Sequence, residues 1–412
     1  MFIHTIYLRD QMIHRGPDAC GIWMSEDKNL AFAHRRLSII DLHETSNQPM
    51  QDSSGEFIII FNGEIYNFMS LREELISFGH HFETSSDTEV ILASYKYWGH
   101  ECLQKLNGMF SFCIYDKNKG ELFMARDRAG EKPFYYSLEK DFFIFSSELK
   151  SNLARETNSK VDNNSLDCFL SFGYVPAELC ILDRVKKLPP AHAMTIKLDN
   201  LEKKQWRYWS IPQSNVSPKN IVETELLDEL EELIEDSVKK QLISDVPVGV
   251  LLSGGVDSSL VTAMASRAEK KIRTFTISFP GFNKYDESDH ARLIADSFNT
   301  EHLELSADNP EPDILYVLAK QFDEPIIDSS MIPTFLVSQL IRKHCTVALG
   351  GDGGDELFGG YSNHSRLLWT YSKAKYIPFQ VRSLLAYLAS NLPYGFKGRE
   401  WLRGLDCDFK KS

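Results

Sequence analysis

Two glycine-rich stretches carry side chains suited to phosphate chemistry. In "VLLSGGVDSSLV", residues 250–261, a continuous apolar run leads into Ser253, Gly254 and Gly255, and a helical pattern follows. A tight strand–turn–helix passage exposes backbone N–H groups, and with the helix N-terminus these form an anion site. The spacing is not G-x-x-x-x-G-K-[ST], and no lysine stands there to reach a terminal phosphate. Asp257 follows the glycines instead, and a carboxylate beside phosphates suits a bridging Mg2+. The plainer alternative is an ordinary turn in which Asp257 caps the helix. The second stretch is "CTVALGGDGGDELFGGY", residues 345–361. Gly350, Gly351, Gly353 and Gly354 allow positive φ and close approach of a ligand, and Asp352, Asp355 and Glu356 stand among them. A solvated acidic turn is the alternative here, but it does not account for so many glycines.

The elements that must position these loops alternate strand and helix. "VPVGVLL" reads as a buried strand and "SSLVTAMASRA" as a helix. "IRTFTISF" follows as a strand, "SDHARLIADSF" as a helix and "CTVALG" as a strand. Such alternation predicts a parallel, doubly wound sheet. Ligands of such sheets sit beyond the carboxyl ends of the strands, so the two loops are expected to meet over one nucleotide. The front of the chain reads differently. "LAFAHRRLSIID", "FIIIFNGEIYN", "FSFCIYD", "LFMARDR" and "FFIFSSE" are short apolar runs, several of them alternating. Helical stretches "NFMSLREELISFG" and "DTEVILASYKYWG" interrupt them, each ending on glycine. This predicts layered α and β structure. Between Leu201 and Lys219 the chain turns polar, with Pro212 and Pro218. The expected division is therefore 1–200, a linker at 201–222, and 223–412.

Composition bounds the function. A chain of 412 residues suits two domains, and 43% hydrophobic with 25% charged residues provides for two cores. A net charge of −13 argues against a nucleic-acid footprint, which needs clustered Lys and Arg. Seven scattered cysteines without a C-x-x-C pair fit reduced thiols and a cytoplasmic location better than disulfides or a zinc site. No apolar run is long enough to span a membrane, and the N-terminus lacks a signal-peptide pattern.

Taken in order, the motifs resemble the glutamine-dependent asparagine synthetase family. The front half carries "HRGPD", "HRRLSIID", "QPM", "FNGEIYNF", "SSDTEVIL", "LNGMFSF", "RDRAGEKPFYY" and "FSSELK". The second half carries "SGGVDSS", "TFTISF", "YDESDHARLIAD", "FDEPIIDSS" and "GGDGGDELFGGY". The resemblance implies an α+β layered sandwich of the αββα, Ntn-hydrolase-like kind with class II glutaminase activity. An α/β doubly wound parallel-sheet domain, adenine nucleotide α-hydrolase-like, is implied to follow it.

The resemblance also implies roles. Arg36 is expected to pair with the glutamine α-carboxylate, with Leu37, Ser38, Ile39 and Ile40 continuing that wall. Glu64 and Asp87 are expected to hold the α-amino group. Asn62 and Gly63 are expected to form the oxyanion hole, one through a side-chain amide and one through a backbone N–H. Local alternatives exist: Asn-Gly is also a turn pair, and Asp87 could cap a helix beginning at Thr88. ATP is expected to contact Leu252, Ser253, Gly254, Gly255, Val256, Asp257, Ser258, Ile277, Gly350 and Gly351, with Mg2+ near Asp257 and Asp355. The implied reaction joins a substrate carboxylate to the α-phosphorus of ATP, releases pyrophosphate, and lets ammonia displace AMP. Asp352 stands where the family can carry a glutamate important for that intermediate. Gly350 and Ala191 stand where serine and glycine are frequent.

In the family a cysteine at the mature N-terminus is the nucleophile, and here Phe2 follows Met1. The expectation is that this cysteine and its first strand are missing, and that a C-terminal helical part is missing too. Cys20 is not expected to substitute, because it follows "HRGPD" within the ordinary pattern. Aspartate is the expected acceptor. Alternatives are another carboxylate, such as a uronic acid of a surface polysaccharide, or a non-catalytic remnant. The other partner expectations are glutamine, a homodimer, no nucleic acid and no membrane.

Overall fold

The computed structural model describes residues 2–153, 159–212, 222–278, 287–306, 313–393 and 395–406. They fall into two units, Met1–Gly350 and Gly351–Ser412. The first unit opens with α1 (Phe2–Asp10), β1 (Ala19–Met24), β2 (Ala31–Arg36), β3 (Met50–Gln51) and β4 (Phe57–Ile65). Three helices follow, α2 (Phe68–Ser77), α3 (Asp87–Trp98) and α4 (Cys102–Lys105). Then come β5 (Gly108–Asp116), β6 (Glu121–Arg126), β7 (Tyr135–Leu138), β8 (Phe143–Ser146), α5 (Leu149–Leu153) and α6 (Asn163–Phe172). The front part closes with β9 (Lys186–Lys187), β10 (His192–Lys197) and β11 (Lys203–Arg207).

Alternation along the strands builds the layers. Because successive side chains of a strand point to opposite faces, Phe57, Ile59, Phe61 and Ile65 of β4 pack with Phe110, Phe112 and Ile114 of β5 under α2, α3 and α4. Ile58, Cys113, Leu122 and Met124 face the other way. They belong to an antiparallel sheet of order β11-β10-β6-β5-β4-β3. Its second face is covered by two smaller sheets, β1-β2 and β8-β7-β9, through Phe32, Phe134 and Tyr136. The rings of Phe32 and Phe145 meet edge to face at 6.0 Å between those sheets. Among the described residues β2 and β8 each have a strand partner on one side only. Helices α1 and α5 lie outside them: Arg35 of β2 donates to Asp10 at 2.6 Å, and Ser151 Oγ donates to the Leu8 carbonyl at 3.1 Å. The result is the expected αββα sandwich. The strand β11 pairs with β10 from His192↔Arg207 to Ile196↔Lys203, so the front sheet extends into the stretch assigned to the linker. Residues 213–221 of that stretch lie outside the described residues.

The rest of the first unit comprises α7 (Glu223–Gln241), β12 (Val248–Leu251), α8 (Val256–Ala268), β13 (Arg273–Ser278) and α9 (Ser288–Ser297). It continues with β14 (Glu301–Ser306), α10 (Ile314–Gln321), α11 (Met331–Ile341) and β15 (Val347–Leu349). All strand pairs are parallel, in the order β14-β13-β12-β15. Val250 packs with Met264, Ala265 and Val238 on one face, and Leu251 with Phe275 and Ile341 on the other. Helices on both faces of a parallel sheet make it doubly wound. The start of "YDESDHARLIAD" falls in 279–286, outside the described residues. The second unit is helical, with α12 (Gly354–Phe358), α13 (Ser362–Ala374), α14 (Phe379–Ser390) and α15 (Arg399–Arg403). Among the described residues no helix is long and apolar enough to cross a membrane.

Two neighbours on α2 test the layering. Leu75 is fully buried against the sheet, whereas Ile76 is 51% exposed. Leu75→Ala is expected to cost about 2–5 kcal/mol. Ile76→Ala should stay within about 0.5 kcal/mol. Denaturant unfolding monitored by circular dichroism reads both.

Candidate active site

A cavity of about 300 Å³ lies in the front sandwich, lined by Arg36, Leu37, Ile39, Ile40, Asn62, Gly63, Glu64 and Asp87. Sequence positions 36 to 87 therefore converge on one space. Asn62 and Gly63 lie inside β4, opposite Ser111 and Phe110 of β5, which removes the reading of Asn-Gly as a hairpin turn. Gly63 has φ +153°, and a Cβ there would stand 2.0 Å from the Met109 carbonyl oxygen. Only glycine lets the two strands approach that closely. Asn62 Nδ2 donates to Ser147 Oγ at 3.4 Å.

Asp87 is the first residue of α3, but it is not the cap. Ser86 takes that role, its hydroxyl accepting the Thr88 N–H at 3.0 Å. Asp87 Oδ2 instead accepts the Ile65 N–H at 3.0 Å, joining the helix to the end of β4. Its carboxyl group is 5% exposed as a residue, and burial raises its pKa to about 6. Burial, and then the neighbouring charge of Asp87, raise Glu64 well above the carboxylate range. Glu64 Oε2 is buried with no hydrogen-bond partner. Two carboxyl groups that resist ionisation, one with an orphan oxygen, would both be favoured by a positive charge brought beside them.

Arg36 is buried, and burial lowers its pKa. Its Nη1 donates to the His43 carbonyl and Asn47 Oδ1, and its Nη2 donates to the Ile40 and Asp41 carbonyls. The guanidinium thus folds the 40–47 loop around itself rather than presenting a free fork. Its charge nevertheless has no ion pair among the described residues. Asp41 stabilises the same loop. Its carboxylate, held down to about 2 against the cost of burial by hydrogen bonds from His43 and Ser85, accepts the Ser85 N–H at 2.7 Å. Ser38 does not line the cavity; its N–H donates to Asp18 Oδ2 at 2.9 Å.

Other lining residues escaped the sequence reading. Lys132 stands in the wall, its ammonium pKa lowered by burial and then by Arg15. His34 lines it too. Burial lowers its pKa to about 4, so the ring is neutral. Its Nε2 lies 3.0 Å from the Phe61 carbonyl and its Nδ1 is buried without a partner. Gln48 Oε1 accepts the Phe61 N–H at 2.6 Å, fixing β4 behind Asn62. "HRRLSIID", "QPM" and "RDRAGEKPFYY" contain these residues, but nothing in the motifs distinguishes a wall residue from its neighbours.

The phosphate-loop candidates gather at the carboxyl end of the parallel sheet. Leu252 follows β12 and is buried, donating its N–H to the Phe275 carbonyl at 2.8 Å while its own carbonyl accepts from Thr276 Oγ1. Ser253 Oγ and Ser258 Oγ lie 2.9 Å apart, and the Gly255 N–H donates to Ser253 Oγ at 3.3 Å, closing the turn on itself. Gly254 has φ +83°, and a Cβ there would reach 2.7 Å from the His290 Cβ. The cap of α8 is Gly255, with no side-chain hydrogen bond. Asp257 therefore stands in the first turn rather than capping, and the first N–H groups of the helix face outward from an uncapped end. Ile277 lies near the carboxyl end of β13, and Gly350 follows β15. The strand order reverses between β12 and β15, so three adjacent strand ends carry these candidates.

Gly351, Asp352 and Asp355 belong to the second unit, Asp355 in the first turn of α12. Of Gly350, Gly351, Gly353 and Gly354 only Gly353 has positive φ, at +92°; the other three do not use the conformational freedom expected of them. Among the described residues no group of three or more His, Cys, Asp or Glu is placed to hold a metal ion.

The raised Asp87 pKa has a signed consequence. Between its ordinary value of 3.8 and about 6, the unfolded chain releases this proton and the folded chain keeps it. Stability therefore falls as pH rises through that window. Asp87→Asn keeps an acceptor for the Ile65 N–H and removes the titration. Its melting temperature relative to the parent should rise from about pH 4 to about pH 6 and then level off, as scanning calorimetry across that range would read.

Comparison with known proteins agrees with this arrangement. The glutamine amidotransferase domain family matches residues 4–209, and the asparagine synthase family matches residues 229–407. Asparagine synthetase (glutamine-hydrolysing) 1 of Bacillus subtilis is 37% identical over 96% of this chain and 61% of its own length. A Methanocaldococcus jannaschii protein, named provisionally as asparagine synthetase (glutamine-hydrolysing) 2, is 40% identical over 85% of this chain and 71% of its own. The amidase Chry2 of Gibberella zeae is 29% identical over 85% of this chain and 54% of its own. The chain thus spans about 61% of the length of the Bacillus relative. With both domain families matched in sequence order, the chain belongs to the glutamine-hydrolysing asparagine synthetase family.

Proposed function

We propose that this chain serves the ATP-dependent amidation of aspartate to asparagine with glutamine as nitrogen donor. The observation that carries the reading is the convergence of Arg36, Asn62, Gly63, Glu64 and Asp87 on one cavity. Glutamine has an ammonium, a carboxylate and an amide, and the cavity has a complement to each. Glu64 and Asp87 receive the ammonium, and both become fully ionised when it arrives. The buried charge of Arg36 draws the carboxylate, while its hydrogen bonds shape the wall. Asn62 Nδ2 and the Gly63 N–H stabilise the oxygen that becomes negative when the amide carbon is attacked.

The attack itself requires a thiolate. Cys20 is exposed on β1, paired with Arg35, and does not line the cavity. Cys113 does line it, but burial raises its thiol pKa well above the ordinary value. Neither is a nucleophile where it stands. The residues of this chain bind and orient glutamine, and hydrolysis in the family manner depends on a cysteine brought to Asn62 and Gly63.

In the parallel-sheet part, the Ser253–Ser258 turn and the uncapped end of α8 receive the phosphates of ATP. Gly254 permits that approach because the loop turns where a side chain would strike His290. Asp257 is the proposed Mg2+ ligand of this unit, and the ion would neutralise the triphosphate. The aspartate side-chain carboxylate attacks the α-phosphorus, pyrophosphate leaves, and ammonia displaces AMP from the acyl-adenylate. Asp352 is the proposed residue assisting formation of that intermediate.

Incubation with ATP, Mg2+, ammonia and aspartate tests the synthetase reading. Aspartate-dependent release of pyrophosphate is expected; release that is indifferent to aspartate contradicts it. Asp257→Asn should lower ATP–pyrophosphate exchange on the order of a hundredfold, the scale of one lost electrostatic contact at a reacting phosphate, with an unchanged circular-dichroism spectrum. Cys20→Ala should leave glutamine binding unaltered, and any glutamate release as well.

A further inference from the structure

The cavity wall is not held by the front sandwich alone. Two carboxylates from the part of the chain that builds the parallel sheet reach it from two sides. Asp245 lies just before β12. Its Oδ2 accepts the Asp41 N–H at 2.7 Å, and its own N–H donates to the Ile39 carbonyl at 3.0 Å. Ile39 lines the cavity, and Asp41 has φ +56°, in the left-handed region that aspartate enters more readily than most residues. Asp323 lies in the loop between α10 and α11. Its Oδ2 accepts the Leu149 N–H at 2.6 Å, and its Oδ1 is 3.3 Å from Lys150 Nζ. Leu149 is fully buried and follows Phe145, Ser146 and Ser147, all cavity residues. The next residue, Glu324, secures the Asp323 loop by accepting the Ile181 N–H at 2.8 Å and Lys187 Nζ at 2.6 Å.

We propose that Asp245 and Asp323 are positioning residues for the glutamine cavity, each bracing one wall from the parallel-sheet part. The proposal rests on the reading of that cavity as the glutamine site. Both accept a main-chain N–H, Asp323 beside its ion pair with Lys150, so they set the path of the wall. Carboxylate acceptors make the stronger kind of backbone hydrogen bond. Segment 37–41 and segment 145–149 keep their shape because the two parts of the chain are docked.

Hydrogen–deuterium exchange on the full chain tests this, comparing the parent with Asp245→Ala, Asp245→Asn, Asp323→Ala and Asp323→Asn. Asp245→Ala should speed exchange over 37–43 by about tenfold or more, the scale of a lost hydrogen bond to a charged group, and leave 145–150 unchanged. Asp323→Ala should do the converse. The asparagine variants retain an acceptor without the charge and should fall between the alanine variants and the parent. L-Glutamine affinity should weaken in both alanine variants and return in part in both asparagine variants. Unchanged exchange at both segments in the alanine variants overturns the proposal, as does loosening spread evenly over the chain. If L-glutamine fails to bind the parent, the glutamine reading falls, and the exchange comparison still decides whether the two carboxylates brace the walls.

Discussion

Burying Glu64 and Asp87 in the wall of one cavity is costly, because burial disfavours the charge of each and Asp87 then disfavours that of Glu64. Much of the front sandwich compensates for that cost. The Ile65 N–H is spent on Asp87, Ser86 relieves Asp87 of capping α3, and Gly63 lets β4 pass close enough to β5 to bring Glu64 inside. Arg36 supplies the opposite charge nearby while its own N–H groups are occupied with the loop that forms the wall. Under the proposed function, the ammonium of an amino acid offsets that cost.

The second half of the molecule works by geometry rather than by charge. The parallel sheet reverses its order between β12 and β15, which sets the carboxyl ends of β13, β12 and β15 side by side. The turn at Ser253–Gly255 closes on itself through the Ser253 and Gly255 N–H groups and the two serine hydroxyls, and the end of α8 beside it carries no side-chain cap. The two chemistries are joined through main chain: Asp245 precedes the strand that leads into Ser253, and it holds the wall at Ile39 and Asp41.

Local patterns made a good part of this legible. The alternation of "FIIIFNGEIYN" placed Asn62 and Gly63 on a strand, and the strand–glycine–helix order of "VLLSGGVDSSLV" placed the turn. The helices ending near Gly79 and Gly99 were readable for the same reason. What stayed hidden depends on contacts between distant residues. That Arg36 directs its amino groups to carbonyls at 40, 41 and 43 follows from how its loop closes, which no spacing encodes. Lys132 and His34 join the cavity only because sheets fold over one another. The strand "KKQWR" reads as linker because it is an edge strand with mostly polar side chains, and only its pairing with β10 reveals it. Asp323 and Glu324 look like any acidic pair until their backbone partners are seen.

The proposed function requires that the ammonium of glutamine lower the raised pKa values of the carboxyl pair. Isothermal titration calorimetry of L-glutamine into the full chain at neutral pH, repeated in two buffers of different ionisation enthalpy, measures the resulting proton exchange directly. The account predicts net proton release on binding, lost in a Glu64→Gln variant. Binding with no proton release, or with proton uptake, would contradict it.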